Sequence, residues 1–344
     1  GAFDCALLDC TAVAILPQEM SRERFDWLRE IGAEVIATPG CESNVKEIYD
    51  KCWELRRDPV HVIFNQFDEF GNPIFHYQVT GPALLEVWEQ VRRAGSRAAA
   101  YISATGSAGT IAAGDFLKTR FPGLKVVATE ALQCPTLLLN GFGGHRIEGI
   151  GDKHVPWVHN VRNTDAVAAV DDADCMRLVR LFNEPAGREY LATAGVPAAD
   201  CERLELLGIS SICNLLAAIK TARYYELDER DVIFTVFTDS MELYGSRLEE
   251  LRAAEGPYGP LPAARDHAAV LLHQRIDYFK ELTYYDRKAI HNLKYYTWVE
   301  QQGKTVDEIN AQWDDAYWRR LFEGEVDEFD RLITAFNREA GWEA

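Results

Sequence analysis

The chain of 344 residues has a formal net charge of −18, with 47% hydrophobic and 26% charged residues. Its length suffices for two domains with a large core, and its composition is ordinary for a globular protein. The acidic balance argues against nucleic acid or an anionic membrane surface as a partner. Because neither an apolar run of membrane-spanning length nor a secretory signal is visible, we expect a cytoplasmic protein without membrane contact.

Residues 1–66 alternate between predicted strands and predicted helices. Apolar runs bounded by turn residues predict strands at 11–16, 33–38 and 60–65, and helical periodicity predicts helices at 21–31 and 44–55. This repetition implies parallel strands with right-handed crossovers. Because the chain begins at Gly1 without a helix cap or a lead-in, we expect residues 1–66 to be only part of a small α/β domain.

The stretch 99–118 has the pattern of a strand, a turn of small residues and a helix start. Residues 100–103 form a short apolar run, and Ile111, Phe116 and Leu117 begin a helical period. The turn residues between them are Thr105, Gly106, Ser107, Ala108, Gly109 and Thr110. Free N–H groups at a helix start bind phosphate, and glycines permit a close backbone approach. The pattern therefore predicts a phosphate site, although a tight strand–helix connection without a ligand has the same residues.

The turn matches neither of two common nucleotide-binding glycine motifs. No lysine follows Gly109, as a P-loop requires, and the spacing G-x-G-x-x-G is absent. Glu130, which ends the next predicted strand at 126–130, does stand where a dinucleotide site has its ribose-binding acid. On the turn and Glu130 alone, a nicotinamide cofactor therefore stays open.

The α/β pattern continues to about residue 255 and then stops. A loop rich in Gly and Pro covers 131–166, strands are predicted at 167–170 and 232–237, and helices at 173–183, 187–194 and 210–227. A Pro-rich break follows at 257–262, after which residues 265–344 are predicted to be helices only, with mainly buried aromatic side chains. We therefore expect domains at 1–66, 67–255 and 256–344.

The eight cysteines are scattered and form no C-x-x-C pair, which predicts reduced thiols. The histidines show neither an H-E-x-x-H motif nor clustering with cysteine, so we expect no metal site.

Six segments along the chain form an ordered set of motifs. They are Met20-Ser-Arg-Glu-Arg24 with Gly32-Ala-Glu and Thr38-Pro-Gly40, Gln66-Phe67 with Asn72-Pro73 and His76-Tyr77, the turn Gly106–Thr110, His145–Gly151, Gly208-Ile-Ser-Ser211, and Asp239-Ser240 with Glu242 and Tyr244. Over roughly residues 1–250 this set resembles the fold-type-II pyridoxal-phosphate enzymes, in particular those like cysteine synthase and cystathionine β-synthase. A glutamate at the place of Glu130 is usual in that family, so the resemblance argues against a nicotinamide cofactor.

The resemblance implies an α/β fold of the tryptophan-synthase-β type, with parallel sheets covered by helices on both faces, followed here by an all-helical C-terminal extension. It also implies pyridoxal 5′-phosphate as cofactor, a small amino acid as substrate and a homodimer. The activity implied is β-elimination or β-replacement on a serine- or cysteine-type amino acid. An amino-acid deaminase or ammonia-lyase is the alternative within the same chemistry.

The resemblance assigns roles to individual residues. Gly106, Ser107, Ala108, Gly109 and Thr110 hold the cofactor phosphate, with Ser107 and Ala108 as small departures from G-T-G-G-T. Ser240 faces the pyridine nitrogen, Ser210 lies near the ring, and Gln66 with Phe67 binds the substrate. Without the resemblance, Ser240 and Ser210 are ordinary helix caps and Gln66 an ordinary strand-end amide.

The family's Schiff-base lysine has no counterpart in this sequence. Enzymes of this type carry it in an early segment similar to N-P-x-G-S-x-K-D-R, and none of the ten lysines here stands in such a context. We therefore expect an incomplete copy that is inactive by itself. The alternative from another class is a non-catalytic or split-subunit protein that binds a phosphate-bearing metabolite.

Overall fold

Residues 1–342 are described in a computed structural model, in which seven strands form two sheets. The strands are β1 (Val13–Pro17), β2 (Glu34–Thr38), β3 (Arg97–Ala104), β4 (Lys125–Ala131), β5 (Ala166–Val170), β6 (Asp231–Thr235) and β7 (Phe279–Glu281). The α-helices are α1 (Ala2–Leu7), α2 (Arg22–Glu30), α3 (Val45–Leu55), α4 (Gly71–Phe75), α5 (Gly81–Val91), α6 (Ile111–Arg120), α7 (Thr136–Leu139), α8 (Asp172–Asn183), α9 (Pro185–Thr193), α10 (Ala198–Arg203), α11 (Ile209–Tyr224), α12 (Gly245–Glu255), α13 (Pro260–Asp266), α14 (Tyr284–Asn292), α15 (Val306–Ala311), α16 (Asp315–Arg319) and α17 (Val326–Glu339).

The first sheet consists of β1 and β2, which pair in parallel with Ile15 opposite Ile36. The predicted third strand at 60–65 is wrong, because this segment lies in a turn and irregular chain. Val60, Val62 and Phe64 are 75%, 74% and 84% exposed. Their alternation has the period of a strand, but a strand also needs a neighbour for its N–H and C=O groups, and the segment has none within the described chain.

The second sheet has the order β6-β3-β4-β5-β7, with the first four strands parallel. Successive residues of β3 point to opposite faces, so Tyr101 packs with Ile111 of α6 and Ile102 with Ile212 of α11. Helices thus cover both faces, as the resemblance implies. Such a sheet carries its loops and helix starts at the carboxyl ends of the strands, where ligands bind in open α/β sheets.

The extension beyond residue 256 is helical apart from one short strand, β7, which pairs antiparallel with β5. The expectation of an all-helical extension is therefore wrong at this strand. A strand of three residues is too short to show a recognisable periodicity in the sequence. Two buried side chains fix the extension to the body. Lys294 donates to the carbonyls of Trp157 and His159 at 2.9 and 2.8 Å, and Trp298 Nε1 donates to the Val155 carbonyl at 2.8 Å.

Within residues 1–342 no single helix has the length and apolar character needed to cross a bilayer. The helices at 198–206 and 209–224 reach that length and composition only when taken together, and they are bent by 117°. All eight cysteines are free thiols.

Candidate functional site

The turn between β3 and α6 presents a row of unpaired backbone donors. Within the described chain, the N–H groups of residues 106–110 donate to no carbonyl or side chain, whereas Thr105 N–H reaches the Thr129 carbonyl at 2.7 Å. Helix α6 begins at Ile111 immediately afterwards. Unpaired amides at the start of a helix form an anion site, because each orphan N–H carries partial positive charge and the helix dipole adds to it.

Two glycines keep this turn close to its surroundings. A Cβ on Gly109 would lie 1.9 Å from Asn72 Oδ1, and a Cβ on Gly106 would lie 3.1 Å from the Gly149 carbonyl oxygen. Ala108 between them has a φ of 63°, in the left-handed region. The family's glycine at that place would adopt this conformation freely, whereas alanine does so at a cost of about 1 kcal/mol.

Hydroxyl groups of the turn are oriented by neighbours. Thr110 Oγ1 lies 2.6 Å from Ser103 Oγ. Asn72 Nδ2 donates to Ser107 Oγ at 3.0 Å and to the Gln66 carbonyl at 2.7 Å. One amide side chain therefore joins the predicted substrate segment to the predicted phosphate turn.

The segment after β6 leaves the sheet at the same edge as the turn, because β3 and β6 are adjacent and parallel. Asn214 of α11 holds the two strand ends together, accepting from Ala104 N–H at 2.9 Å and donating to the Val236 carbonyl at 3.1 Å. Ser210 Oγ lies 3.3 Å from Thr238 Oγ1 and 3.4 Å from Asp239 Oδ1. The structure thus brings the segments of Ser210 and Ser240 together beside the turn.

Ser240 is half-buried and precedes a 3₁₀ turn at Met241–Tyr244, yet its side chain does not cap that turn. Its hydroxyl has no hydrogen-bond partner among residues 1–342. The helix-cap interpretation of Ser240 therefore finds no hydrogen bond here, and the hydroxyl is available to a ligand.

Gln66 and Phe67 are placed differently from each other. The side chain of Gln66 is exposed, whereas the ring of Phe67 meets that of Tyr49 edge-on at 5.9 Å. Phe67 packs against a buried aromatic cluster that also contains Trp157 and Trp298. Its contacts are those of a core residue that anchors the loop carrying Gln66.

A small cavity beside Gly106 is lined by three ionisable residues, Glu130, Asp152 and His154. Glu130 accepts the N–H groups of Leu137 and Leu138, both at 2.9 Å, so its carboxylate caps α7. Burial raises the pKa of Glu130 to about 7.

Sequence reasoning missed the pair of Asp152 and His154, whose Oδ1 and Nδ1 lie 3.0 Å apart. Burial raises the pKa of Asp152 above its ordinary value. The D-x-H spacing directly after His145–Gly151 is the sequence signal that marks this pair.

Two glutamates, Glu148 and Glu42, interact near the start of α2. Glu148 accepts from Ser21 N–H at 3.0 Å and from Arg247 Nε at 2.5 Å. Burial, with the charge of Glu148 as a second cause, raises the pKa of Glu42 to about 8. The neutral form of Glu42 is therefore favoured next to a fully paired Glu148.

Comparison with known families gives one match that covers most of the body. Residues 2–239 match the family described as pyridoxal-phosphate dependent enzyme. This range includes the turn, Ser210 and the segment up to Asp239, and it stops before the helical extension.

Individual relatives agree with that match. The chain is 30% identical over 244 residues to the cysteine synthase of Staphylococcus aureus strain N315, covering 71% of each protein. It is 29% identical over 245 residues to a probable cysteine synthase of Bacillus subtilis strain 168, again covering 71% of each. Among solved structures, a hydrogen sulfide-producing enzyme of Fusobacterium nucleatum (Fn1220) is similar with a TM-score of 0.58 and 26% identity, over 71% of this chain and 74% of that one.

Proposed function

Because the chain belongs to the pyridoxal-phosphate-dependent enzymes, we propose that its turn at 106–110 holds the phosphate of pyridoxal 5′-phosphate. The observation that carries this is the run of five unpaired N–H groups ahead of α6. A phosphate dianion would satisfy donors that have no other partner, and the hydroxyls of Ser107 and Thr110 are already held in place beside them.

Ser240 is proposed to meet the pyridine nitrogen. Its free hydroxyl stands on the segment that follows β6, the strand next to β3. When bound, the cofactor supplies an electron sink for the bond changes at the amino acid. A neutral hydroxyl at the ring nitrogen does not hold a proton there as a carboxylate would, which keeps that sink weak and favours loss of a β-substituent.

The proposed reaction is β-elimination or β-replacement on a serine- or cysteine-type amino acid, in line with relatives named cysteine synthase and hydrogen sulfide-producing enzyme. Gln66 is proposed to bind the substrate carboxylate through its exposed amide, while the packed ring of Phe67 keeps the loop in position. Ser210 is proposed to donate toward the cofactor ring. We also propose a homodimer, and domains at 1–66, 67–255 and 256–344.

The lysines support the proposal that this chain does not complete the reaction alone. The two most buried lysines are engaged elsewhere: Lys220 donates to the Ala169 and Asp277 carbonyls at 2.8 and 2.7 Å, and Lys294 is held at the extension. Lys118, in the last turn of α6, pairs with Asp165 at 2.6 Å, and this aspartate does not belong to the turn. This observation also favours the second candidate, a non-catalytic or split-subunit protein that binds a phosphate-bearing metabolite.

The phosphate role is tested by comparing pyridoxal 5′-phosphate with pyridoxal in equilibrium dialysis. Wild-type protein is expected to prefer the phosphorylated form. Ser107→Asp places a carboxylate in the turn and is expected to weaken binding of that form by tenfold or more, by charge repulsion, while pyridoxal changes little. Ser96→Asp is the matched control, because Ser96 is half-buried like Ser107 but lies in the loop before β3, where an aspartate can still accept from Arg93 N–H. Equal affinity of Ser107→Asp and wild type for the phosphorylated form would refute the site.

The catalytic question has a separate readout. Borohydride reduction of the protein with cofactor, followed by peptide mass spectrometry, is expected to find no lysine carrying it. Turnover of O-acetylserine, followed by acetate, sulfide consumption and ammonia, is expected to be absent with this chain alone. A labelled lysine together with acetate release would contradict the inactive copy and leave the β-replacement proposal standing, whereas ammonia release without sulfide incorporation would favour the deaminase.

A further inference from the structure

A cleft of about 390 Å³ lies between α8 and the start of the extension, away from the turn at 106–110. Its lining includes four arginines and a single carboxylate, namely Arg146, Arg177, Arg180, Arg265 and Glu255. The whole chain has 54 acidic and 36 basic side chains, whereas basic side chains outnumber acidic ones in the lining of the cleft.

Arg180 is a buried residue in the lining of this cleft. It is 3% exposed, its Nη2 donates to the Gly256 carbonyl at 2.7 Å, and its guanidinium lies 4.8 Å from the ring centroid of Tyr258. Its Nη1 reaches Glu255 at 3.2 Å and its Nη2 also reaches Glu184 at 3.4 Å, whereas its Nε, which is shielded from solvent, has no partner within the described chain. Two carboxylates and a carbonyl therefore fix this guanidinium beside the cleft, where its positive charge adds to that of the more exposed arginines.

Each of the other three arginines pairs with an aspartate and keeps further donors free; Arg265 holds Asp266 through Nε and Nη2, both at 2.8 Å. Arg146 Nη2 and Arg177 Nη1 bond to Asp172 and Asp174, at 3.0 and 2.9 Å, and neither of these carboxylates lines the cleft. The two arginine side chains are 49% and 46% exposed. Because a guanidinium has five N–H donors, each of them can hold its aspartate and still bind an oxyanion.

The cleft and the turn lie at two ends of one segment. Arg146 lines the cleft, while Gly151 N–H donates to the Thr105 carbonyl at 2.8 Å and the Gly149 carbonyl lies close to Gly106. None of the residues assigned above to cofactor or substrate lines the cleft. It is therefore a separate site, and its existence does not depend on the proposed function.

We propose that this cleft binds a small metabolite with two or more oxyanion groups, either carboxylates or phosphates. Four guanidinium groups around 390 Å³ suit a compact polyanion, because two anionic groups can each be held by two arginines. A ligand with only one carboxylate would leave most of these guanidinium donors without an acceptor. The ligand bridges α8 and α13, and so ties the body to the extension.

The test is isothermal titration calorimetry of the full chain, with saturating pyridoxal 5′-phosphate present so that the turn is occupied. Citrate and inorganic pyrophosphate are the probes, and acetate is the monoanion control. Citrate or pyrophosphate is expected to bind with acetate inert, and the tighter of the two identifies carboxylate or phosphate chemistry. Affinity is expected to fall with added NaCl.

Arg146→Gln with Arg177→Gln in one variant is expected to weaken binding about tenfold or more, since two charge-assisted contacts are lost. The matched control is Arg29→Gln with Arg331→Gln, two exposed arginines on α2 and α17 that each pair with an acid three residues earlier, as Arg177 does. Retained binding in the control and lost binding in the cleft variant support the site. Equal affinity in both variants, or no binding of either probe at millimolar concentration, overturns it.

Hydrogen exchange on wild-type protein gives a readout that does not depend on whether the variants fold. Ligand is expected to protect peptides covering 173–180 and 255–265 from exchange. Protection confined to the turn at 105–110 would place the probe in the cofactor site instead and overturn the proposal.

Discussion

Gly109→Ala is expected to destabilise the protein through one neighbour, Asn72. The added Cβ would lie 1.9 Å from Asn72 Oδ1, so the amide must leave its place. It then loses its bonds to the Gln66 carbonyl and to Ser107 Oγ. At about 1 kcal/mol for each hydrogen bond, the free energy of unfolding should fall by about 2 kcal/mol.

Removing Asn72 should change the sign of the effect of Gly109→Ala on stability. Gly109 does not have a positive φ, so alanine meets no backbone strain there. Asn72→Ala alone should cost about 2 kcal/mol, for the same two bonds. In that background Gly109→Ala should be neutral or stabilising by up to about 1 kcal/mol, because alanine restricts the unfolded chain.

Urea unfolding of the two single variants and the double variant measures this cycle, with Gly123→Ala as the control. A Cβ on Gly123 would meet nothing within 4 Å, and its φ is not positive, so that variant should retain wild-type stability or gain slightly. If Gly109→Ala costs as much without Asn72 as with it, the steric account of this turn is wrong.

Three further predictions concern other parts of the molecule. The raised pKa of Glu42, about 8 beside Glu148, means that the folded state keeps a proton which the unfolded chain releases near pH 4.5. Its contribution to the free energy of unfolding is therefore present below about pH 4.5 and is lost, by up to about 1.4 kcal/mol per pH unit, as the pH rises to about 8. In urea unfolding, Glu42→Gln should become increasingly more stable than wild type from pH 5 to 8. A stability difference that stays constant over this range would contradict the prediction. Lys294→Met should cost about 3 kcal/mol, since it leaves the buried Trp157 carbonyl and Gln312 Oε1 unpaired and removes one of the two donors to the His159 carbonyl, whereas exposed Lys46→Met should cost less than about 1 kcal/mol; equal costs in thermal unfolding would show that the buried amino group is not needed. Ala108→Gly should change the free energy of unfolding by less than about 1 kcal/mol, because relief of the left-handed φ offsets loss of a buried methyl, and a loss above about 2 kcal/mol would count against strain at this position.

Local pattern was sufficient for the elements that are buried on both faces. The predicted strand at 100–103 and the helix from Ile111 appear as β3 and α6, because continuous apolar runs and helical periodicity there coincide with tertiary contacts. The segment 60–65 had the alternation of a strand without a neighbour to pair with. The partners with which a strand pairs are distant in sequence, so local periodicity gives no information about them.

The candidate site was predictable as a list of residue types but not as a set of contacts. The resemblance named the turn, Ser210, Ser240 and Gln66, and their roles stay proposals. The bridging bond from Asn72 and the left-handed φ of Ala108 depend on backbone geometry that a motif does not carry. The four-arginine cleft was also beyond sequence reasoning, because its members come from three separate segments.

The short strand β7 has a consequence for any attempt to divide this chain. β5 is the uncharged run Ala-Val-Ala-Ala-Val, fully buried, and it pairs with β4 on one side and with residues 279–281 on the other. Cutting the chain near residue 256 would leave the outer side of β5 with bare amide and carbonyl groups on an apolar ribbon, which is a template for stacking against other copies. A shortened protein should therefore precipitate or form filaments. The C-terminal region covers the edge of β5 and so prevents strand pairing between copies of the protein.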